Sequence, residues 1–528
     1  MKSYSIRTFA VMLCLFVCIH SAPAQITTAE VDSLVENAMK EFNVAGVSVA
    51  IVKDGRIMVC KGYGVKNVET GGAVDSHTNF AIASNTKAFT AAALAILVEE
   101  GKLKWSDKVV DHIPEFRMYD PWVTAHFTIV DLMTHRSGLG LGAGDLTIFP
   151  AGSDFTIDDI VRIFQHFEPV SEFRTKYDYD NLLYIVAGEV IKRASGMRWE
   201  DFVQKRILDK IGMDNSFSSI ALMHDRKSLA TPHYTENGML VPTGHDVFDP
   251  EKINGAMGSI LSNAHDLCQW LLLQLNHGTY GKEGKKQLFS ERNHQYMWRI
   301  HTVLGADPDP RYNSHFAGYG LGWRLSDMQG VMSVSHTGGL TGMLSKIQLI
   351  PDLNLGIAVL TNSWIGGAFL FRAVTQTITD RFLGLDRFDW TARNREIMQQ
   401  RFGSADSVVA AVWRQVDAVQ DAEITPELFT GTYEDPWFGR VKITQKDGGL
   451  YFQSARSPRL QGPMYFYKAN TFAVKWEYRD MEADAFVMFR LGHEGRAAGF
   501  IMEGISPAID FSFDFQDLEF SRRGGIKR

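Results

Sequence analysis

Residues 88–98 constrain this chain more than any other stretch: every one of them except Thr90 is apolar. Placed on a helix, these side chains cover all faces instead of one stripe, so the helix belongs inside a core. Roughly 20 apolar residues are needed to cross a bilayer, and this run is much shorter. Gly101 stops the helix. The fold must therefore supply layers on all sides of it. With 528 residues the chain is long enough to do so and still hold a second domain.

The same helix opens on Ser84-Asn85-Thr86-Lys87. A Ser and a Lys three residues apart share a helix face. In a buried helix Lys87 loses its proton near neutral pH, because low dielectric disfavours the ammonium. A neutral amine beside a hydroxyl is a general base beside a nucleophile. Ser-x-x-Lys alone is weak, since chance supplies about one match in a chain of this composition. Its context is stronger: it follows Phe80-Ala81-Ile82-Ala83, and a helix start leaves backbone N–H groups free near the serine. Tyr179-Asp180-Asn181 precedes a second helix over 182–194. A phenol relays protons if a nearby ammonium lowers its pKa, and the Asn181 amide is able to hold both Lys87 and a substrate carbonyl. His336-Thr337-Gly338-Gly339 sits where a strand meets a Gly-rich turn. Glycines there let a substrate lie against the strand edge, and the Gly339 N–H can join that of Ser84 as an oxyanion hole.

Elsewhere, 28–42 reads as a helix capped at Thr28, and Lys53-Asp54-Gly55 as the turn of a hairpin between 47–52 and 56–63. A helix is expected over 264–276, and interior strands over 347–350 and 356–361. A hairpin, a central helical block and late strands predict an α+β domain closed by distant strands. Residues 386–423 read as a polar helical connector. From 424 to the C-terminus the chain is short strands and turns, with Asp447-Gly448-Gly449 as one turn. Phe472, Val474, Trp476 and Tyr478 alternate with polar or small residues, which suits the core of a small antiparallel barrel.

In order and context, the three motifs resemble the serine β-lactamase and penicillin-binding protein superfamily, in its class C β-lactamase and esterase branch. Residues 132–139, Ala256-Met257-Gly258-Ser259 and 319–323 add secondary matches, and the tail resembles the lipocalin-like β-domain of some relatives. The resemblance implies an antiparallel sheet flanked by helices over 25–385. It also implies Ser84, Lys87 and Tyr179 as catalytic residues, with Asn181, His336, Thr337, Gly338 and Gly339 binding substrate. Ser84 would be acylated, Lys87 and Tyr179 would share the proton work, and no cofactor or metal would be required. Relatives that cut β-lactams or D-alanyl peptides usually carry Lys where this chain has His336. A mostly neutral His implies weaker selection for a substrate carboxylate. Arg136 is a second departure from the pattern, and His135 is assigned to packing.

The net charge of -7 argues against a nucleic-acid partner. Among the sixteen histidines no two lie within five positions, and there is no His-Glu-x-x-His, so no metal is expected. Lys2 and Arg7, the apolar run 9–19 and Ala22-Pro23-Ala24 read as a signal sequence over 1–24, directing export to the periplasm or medium. Cys14 and Cys18 fall within it, and Cys60 and Cys268 are expected as inert thiols. The functional expectation is an exported serine hydrolase acting on a small-molecule or peptide ester or amide. The alternatives are an acyltransferase, a D,D-peptidase or β-lactamase, and a non-catalytic receptor.

Overall fold

The computed structural model describes residues 26–524, so the expected signal sequence with Cys14 and Cys18 lies outside the described residues. The hydrolase-like part is built on a nine-stranded sheet. Its strands are β1 (Gly46–Lys53), β2 (Arg56–Asn67), β3 (Gly71–Ala73), β4 (Thr302–Leu304), β5 (Ala317–Tyr319), β6 (Arg324–Met328), β7 (Val331–Leu340), β8 (Met343–Ile350) and β9 (Leu355–Thr361). The spatial order is 4-5-6-7-8-9-1-2-3. The first strand thus pairs with the last, Val47 opposite Thr361 and Lys53 opposite Leu355. This is the closure by distant strands expected of the α+β reading. Asp54 and Gly55 both take positive φ at the β1–β2 turn, the geometry that matches strand twist in a tight hairpin.

Helices cover both faces of the sheet, which is why β1 and β9 are apolar at nearly every position. Val47, Val49, Ile51, Ile357 and Val359 pack into one core with α1 (Thr28–Phe42) and α5 (Trp364–Leu383). Ala50, Val52, Ala358 and Leu360 face the other core, which holds α2 (Thr86–Glu99), α3 (Leu182–Ser195) and α4 (Ala264–Leu275). In α2 every residue from Thr86 to Leu97 is buried, as its all-round apolar surface demands. The first helix is capped by Thr27, not Thr28: its hydroxyl accepts from Glu30 N–H while Glu30 accepts the Thr27 N–H, and Glu30 stands at the position a reciprocal box requires. Cys60 is half-buried and Cys268 buried, both as free thiols.

Helix α6 (Trp390–Ala418) leads to eight antiparallel strands that close into a barrel between Gly431 and Arg522. Phe472, Val474 and Trp476 are buried in its interior, and the Trp476 indole N–H donates to Ala483 O at 2.7 Å. The barrel is docked on the hydrolase part at several points. Arg456 pairs with Asp154 at 2.7 Å and Asp159 at 2.8 Å. Asp480 accepts from Thr243. Among the described residues no helix is long and apolar enough to cross a membrane.

Candidate active site

The nucleophile turn hangs from a short strand. Phe80 and Ala81 pair with Ser262 and Leu261, and Ile82 N–H donates to Ile260 O at 2.9 Å. Ala83 then takes φ 48°, a left-handed conformation costly for a residue with a Cβ. Ser84 follows in a single 3₁₀ turn, and α2 begins at Thr86. The early N–H groups of such a turn have no acceptor within the helix, so that of Ser84 is available to a ligand.

Lys87 is fully buried in the first turn of α2. Its amine lies 3.1 Å from Ser84 Oγ, 2.7 Å from Asn181 Oδ1 and 2.9 Å from Met257 O. Two of these neighbours only accept hydrogen bonds; the third is a hydroxyl that also donates. A neutral amine fits this set well: its two N–H groups satisfy Asn181 and Met257, and its lone pair faces Ser84. Burial pushes Lys87 down to about 7, against the pull of Asp145 and Asp180. Asn181 is oriented from behind, its Nδ2 donating to Asp145 Oδ2 at 2.7 Å. Asp145 is buried and its carboxyl is held well above the usual range, mainly by desolvation.

Tyr179 also lies here, beside Ser84. Contrary to the expectation from sequence, its phenol is not lowered by the ammonium but held well above its ordinary range. Burial dominates, and Lys87 sits over the ring face, 4.8 Å from its centroid. A neutral phenol that donates and accepts at once still relays protons.

His336, Thr337, Gly338 and Gly339 lie on β7. Strand β6 stops at Arg324 opposite Ser335, so from His336 onward β7 pairs only with β8. Thr337 and Gly339 are exposed along that open stretch. Gly338 packs on the nucleophile turn, where a Cβ would stand 2.1 Å from Ile82 O. His336 is buried, with both ring nitrogens occupied: Nδ1–H donates to Thr337 O at 2.6 Å, and Nε2 accepts from Tyr319 at 2.9 Å. Burial, with Lys87 and Arg324 nearby, drives it down to about 3, so it is neutral at physiological pH. His336 braces the strand and Tyr319, and its neighbours Thr337 and Gly339 face the opening. His135 is a packing residue, as expected: its ring lies 4.2 Å from that of Tyr179, and Nδ1 accepts from Asp180 N–H. Arg136 joins Arg174 in neutralising the buried Asp131, at 2.9 Å and 2.6 Å.

Four contributors were not singled out from the sequence. Met257 O and Tyr319 fall inside secondary matches, but neither had an assigned role. Ser345 donates to Ile82 O at 2.7 Å and accepts from Asn85 Nδ2 at 2.8 Å, tying β8 to the nucleophile turn. Asp145 sits in a loop with no local pattern, and only the third dimension sets it behind Asn181.

Residues 31–376 match the family model named Beta-lactamase. The chain belongs to the Beta-lactamase family. A second model, a domain of unknown function (DUF3471), matches 419–522 and so spans the barrel. Among curated members, the Unguisins hydrolase ungD' of Aspergillus campestris is 26% identical over 88% of this chain and 86% of its own. The Unguisins hydrolase ungD of Aspergillus violaceofuscus is 27% identical over 69% of this chain and 67% of its own. The octameric penicillin-binding protein homologue from Pyrococcus abyssi covers 94% of this chain and all of its own at TM-score 0.59 and 21% identity, a likeness of fold. Membership of the Beta-lactamase family and these relatives mark the chain as a serine hydrolase-type enzyme.

Proposed function

We propose that this protein cleaves an ester or amide through an acyl-enzyme on Ser84. One observation carries the reading: a fully buried Lys87 amine, lowered to about 7, lies 3.1 Å from Ser84 Oγ with its remaining neighbours all satisfied as acceptors. In the proposed reaction Ser84 Oγ gives its proton to Lys87 and bonds the substrate carbonyl carbon. The Ser84 and Gly339 N–H groups hold the resulting oxyanion. The proton passes from Lys87 by way of Tyr179 to the leaving atom as its bond to carbon breaks. Water then repeats the sequence and frees Ser84. An alcohol or amine in place of water would make the enzyme an acyltransferase; the hydrolase names of its relatives favour water.

A second reading, a D,D-peptidase or β-lactamase acting on substrates with a carboxylate, is supported by Arg324. This residue is exposed, stands opposite Ser335 beside His336, and bonds Tyr177 OH at 3.0 Å; among the described residues it takes part in no ion pair. A permanent cation thus stands at the rim although the motif itself carries His336. The charged and apolar N-terminus supports export to the periplasm or medium.

The deciding experiment is intact-mass spectrometry after exposure to a panel of esters, amides and penicillins. A mass increment on the wild type that is absent from Ser84→Ala supports the acyl-enzyme. Labelling by penicillin selects the second reading. Tyr179→Phe is expected to slow turnover by at least ~100-fold, typical of lost proton transfer. Full function in Ser84→Ala would instead mean a non-catalytic receptor.

A further inference from the structure

We propose that Phe511, contributed by the C-terminal barrel, contacts the substrate and sets its specificity, forming the apolar wall on the leaving-group side of the cleft. The proposal rests on the Ser84 hydrolase reading. The Phe511 ring meets that of Tyr179 edge-on, with centroids 5.7 Å apart and planes at 81°. Tyr179 is 8% exposed and Phe511 37%, so Phe511 is the face that an incoming molecule meets beside the phenol. Tyr179 lies beside Ser84 and, in the proposed reaction, delivers the proton to the departing atom. Whatever departs must therefore pass the Tyr179 ring, and Phe511 flanks that path.

The placement is rigid. Gly142 N–H donates to Tyr179 O at 2.8 Å, and a Cβ on Gly142 would lie 2.5 Å from Phe511 O. Three residues beyond Phe511, the buried Asp514 carboxylate accepts Gly144 N–H at 2.7 Å and Leu146 N–H at 2.9 Å. The 142–146 loop, which carries Asp145, is thus joined to the Tyr179 backbone at one end and to the barrel at the other. The Arg456 ion pairs and the Thr243–Asp480 contact hold the barrel from two further directions. An exposed aromatic ring held in this way favours esters or amides whose leaving group is aromatic or bulky and apolar, since such a group packs edge-on or stacked against it.

The test compares phenyl acetate with methyl acetate in full-length wild type, Phe511→Ala and Phe511→Tyr. Because Phe511 is substantially exposed, its truncation leaves the fold intact, which a thermal melt checks. Phe511→Ala is expected to lower kcat/KM for phenyl acetate about tenfold through KM, methyl acetate changing less than about twofold, and Phe511→Tyr to restore the difference. Equal losses on both esters, or no loss on either, overturn the proposal. Fluorophosphonate labelling of Ser84 separates the two readings. An unlabelled wild type overturns the hydrolase reading and this one with it. A labelled wild type with an indifferent Phe511→Ala overturns this one alone.

Discussion

Replacing Asp145 by Asn tests whether Lys87 is the base and what sets its pKa. The substitution is nearly isosteric, and the carbonyl of the new amide can still accept from Asn181 Nδ2, so the orientation of Asn181 survives. What disappears is a negative charge two short contacts from Lys87: 2.7 Å from Asp145 to Asn181, then 2.7 Å from Asn181 to the amine. Across about 7 Å at an effective dielectric near 20, a full charge stabilises the ammonium by about 2.4 kcal/mol, or about 1.7 pKa units. Burial holds the Asp145 carboxyl well above its ordinary range, so the full-charge figure is an upper bound on the effect. The neutral amine is the active form, so kcat/KM rises with pH through the Lys87 pKa, about 7 in the wild type. An ordinary lysine would be neutral about a thousandfold less often at that pH. In Asp145→Asn the acid limb moves down, by at most about 1.7 units. The assay is p-nitrophenyl acetate hydrolysis from about pH 5 to 9, a range that brackets both limbs. A wild-type limb near the ordinary lysine value of about 10, or a limb that Asp145→Asn leaves in place or moves upward, would refute the reasoning.

Two structural predictions concern the nucleophile turn. Ser345→Ala leaves the buried Asn85 amide without its acceptor and is expected to destabilise the protein by about 1–3 kcal/mol in urea unfolding. Gly338→Ala forces a Cβ to 2.1 Å from Ile82 O and 2.6 Å from Ser345 Oγ, and should abolish Ser84 acylation as read by intact mass. Gly339→Ala meets Leu344 Cδ2 at 3.0 Å and the Trp364 ring at 3.5 Å, and is expected to destabilise the protein less than Gly338→Ala in urea unfolding.

Much of the fold was legible because it follows from surface that must be hidden. The apolar α2 required layers around it, and strands apolar at nearly every position required covering on both faces. The β1–β2 and Asp447-Gly448 turns were legible for a local reason, since Asp and Gly tolerate the positive φ both adopt there. The cap of α1 falls one residue earlier than the sequence suggests. Thr27 and Thr28 are equally competent caps, and only the reach of Glu30 back to the Thr27 N–H decides between them.

For the site, the residue types and their order were enough to propose Ser84, Lys87, Tyr179, Asn181 and the 336–339 strand, which the fold places close together. The chemistry of each group is intrinsic, and burial of α2 is a property of its own composition. Protonation states and supporting partners were decided only by the tertiary structure. The Tyr179 phenol is raised because desolvation outweighs the lowering influence of Ser84. His336 is neutral and turned to Tyr319, while the fixed cation at the rim comes from Arg324 on the neighbouring strand. Asp145 behind Asn181, and Phe511 arriving from a separate domain, are neighbours in space with no spacing in the chain to announce them. A chain order records what each residue can do; which groups share one low-dielectric volume is set by how the layers and the barrel pack.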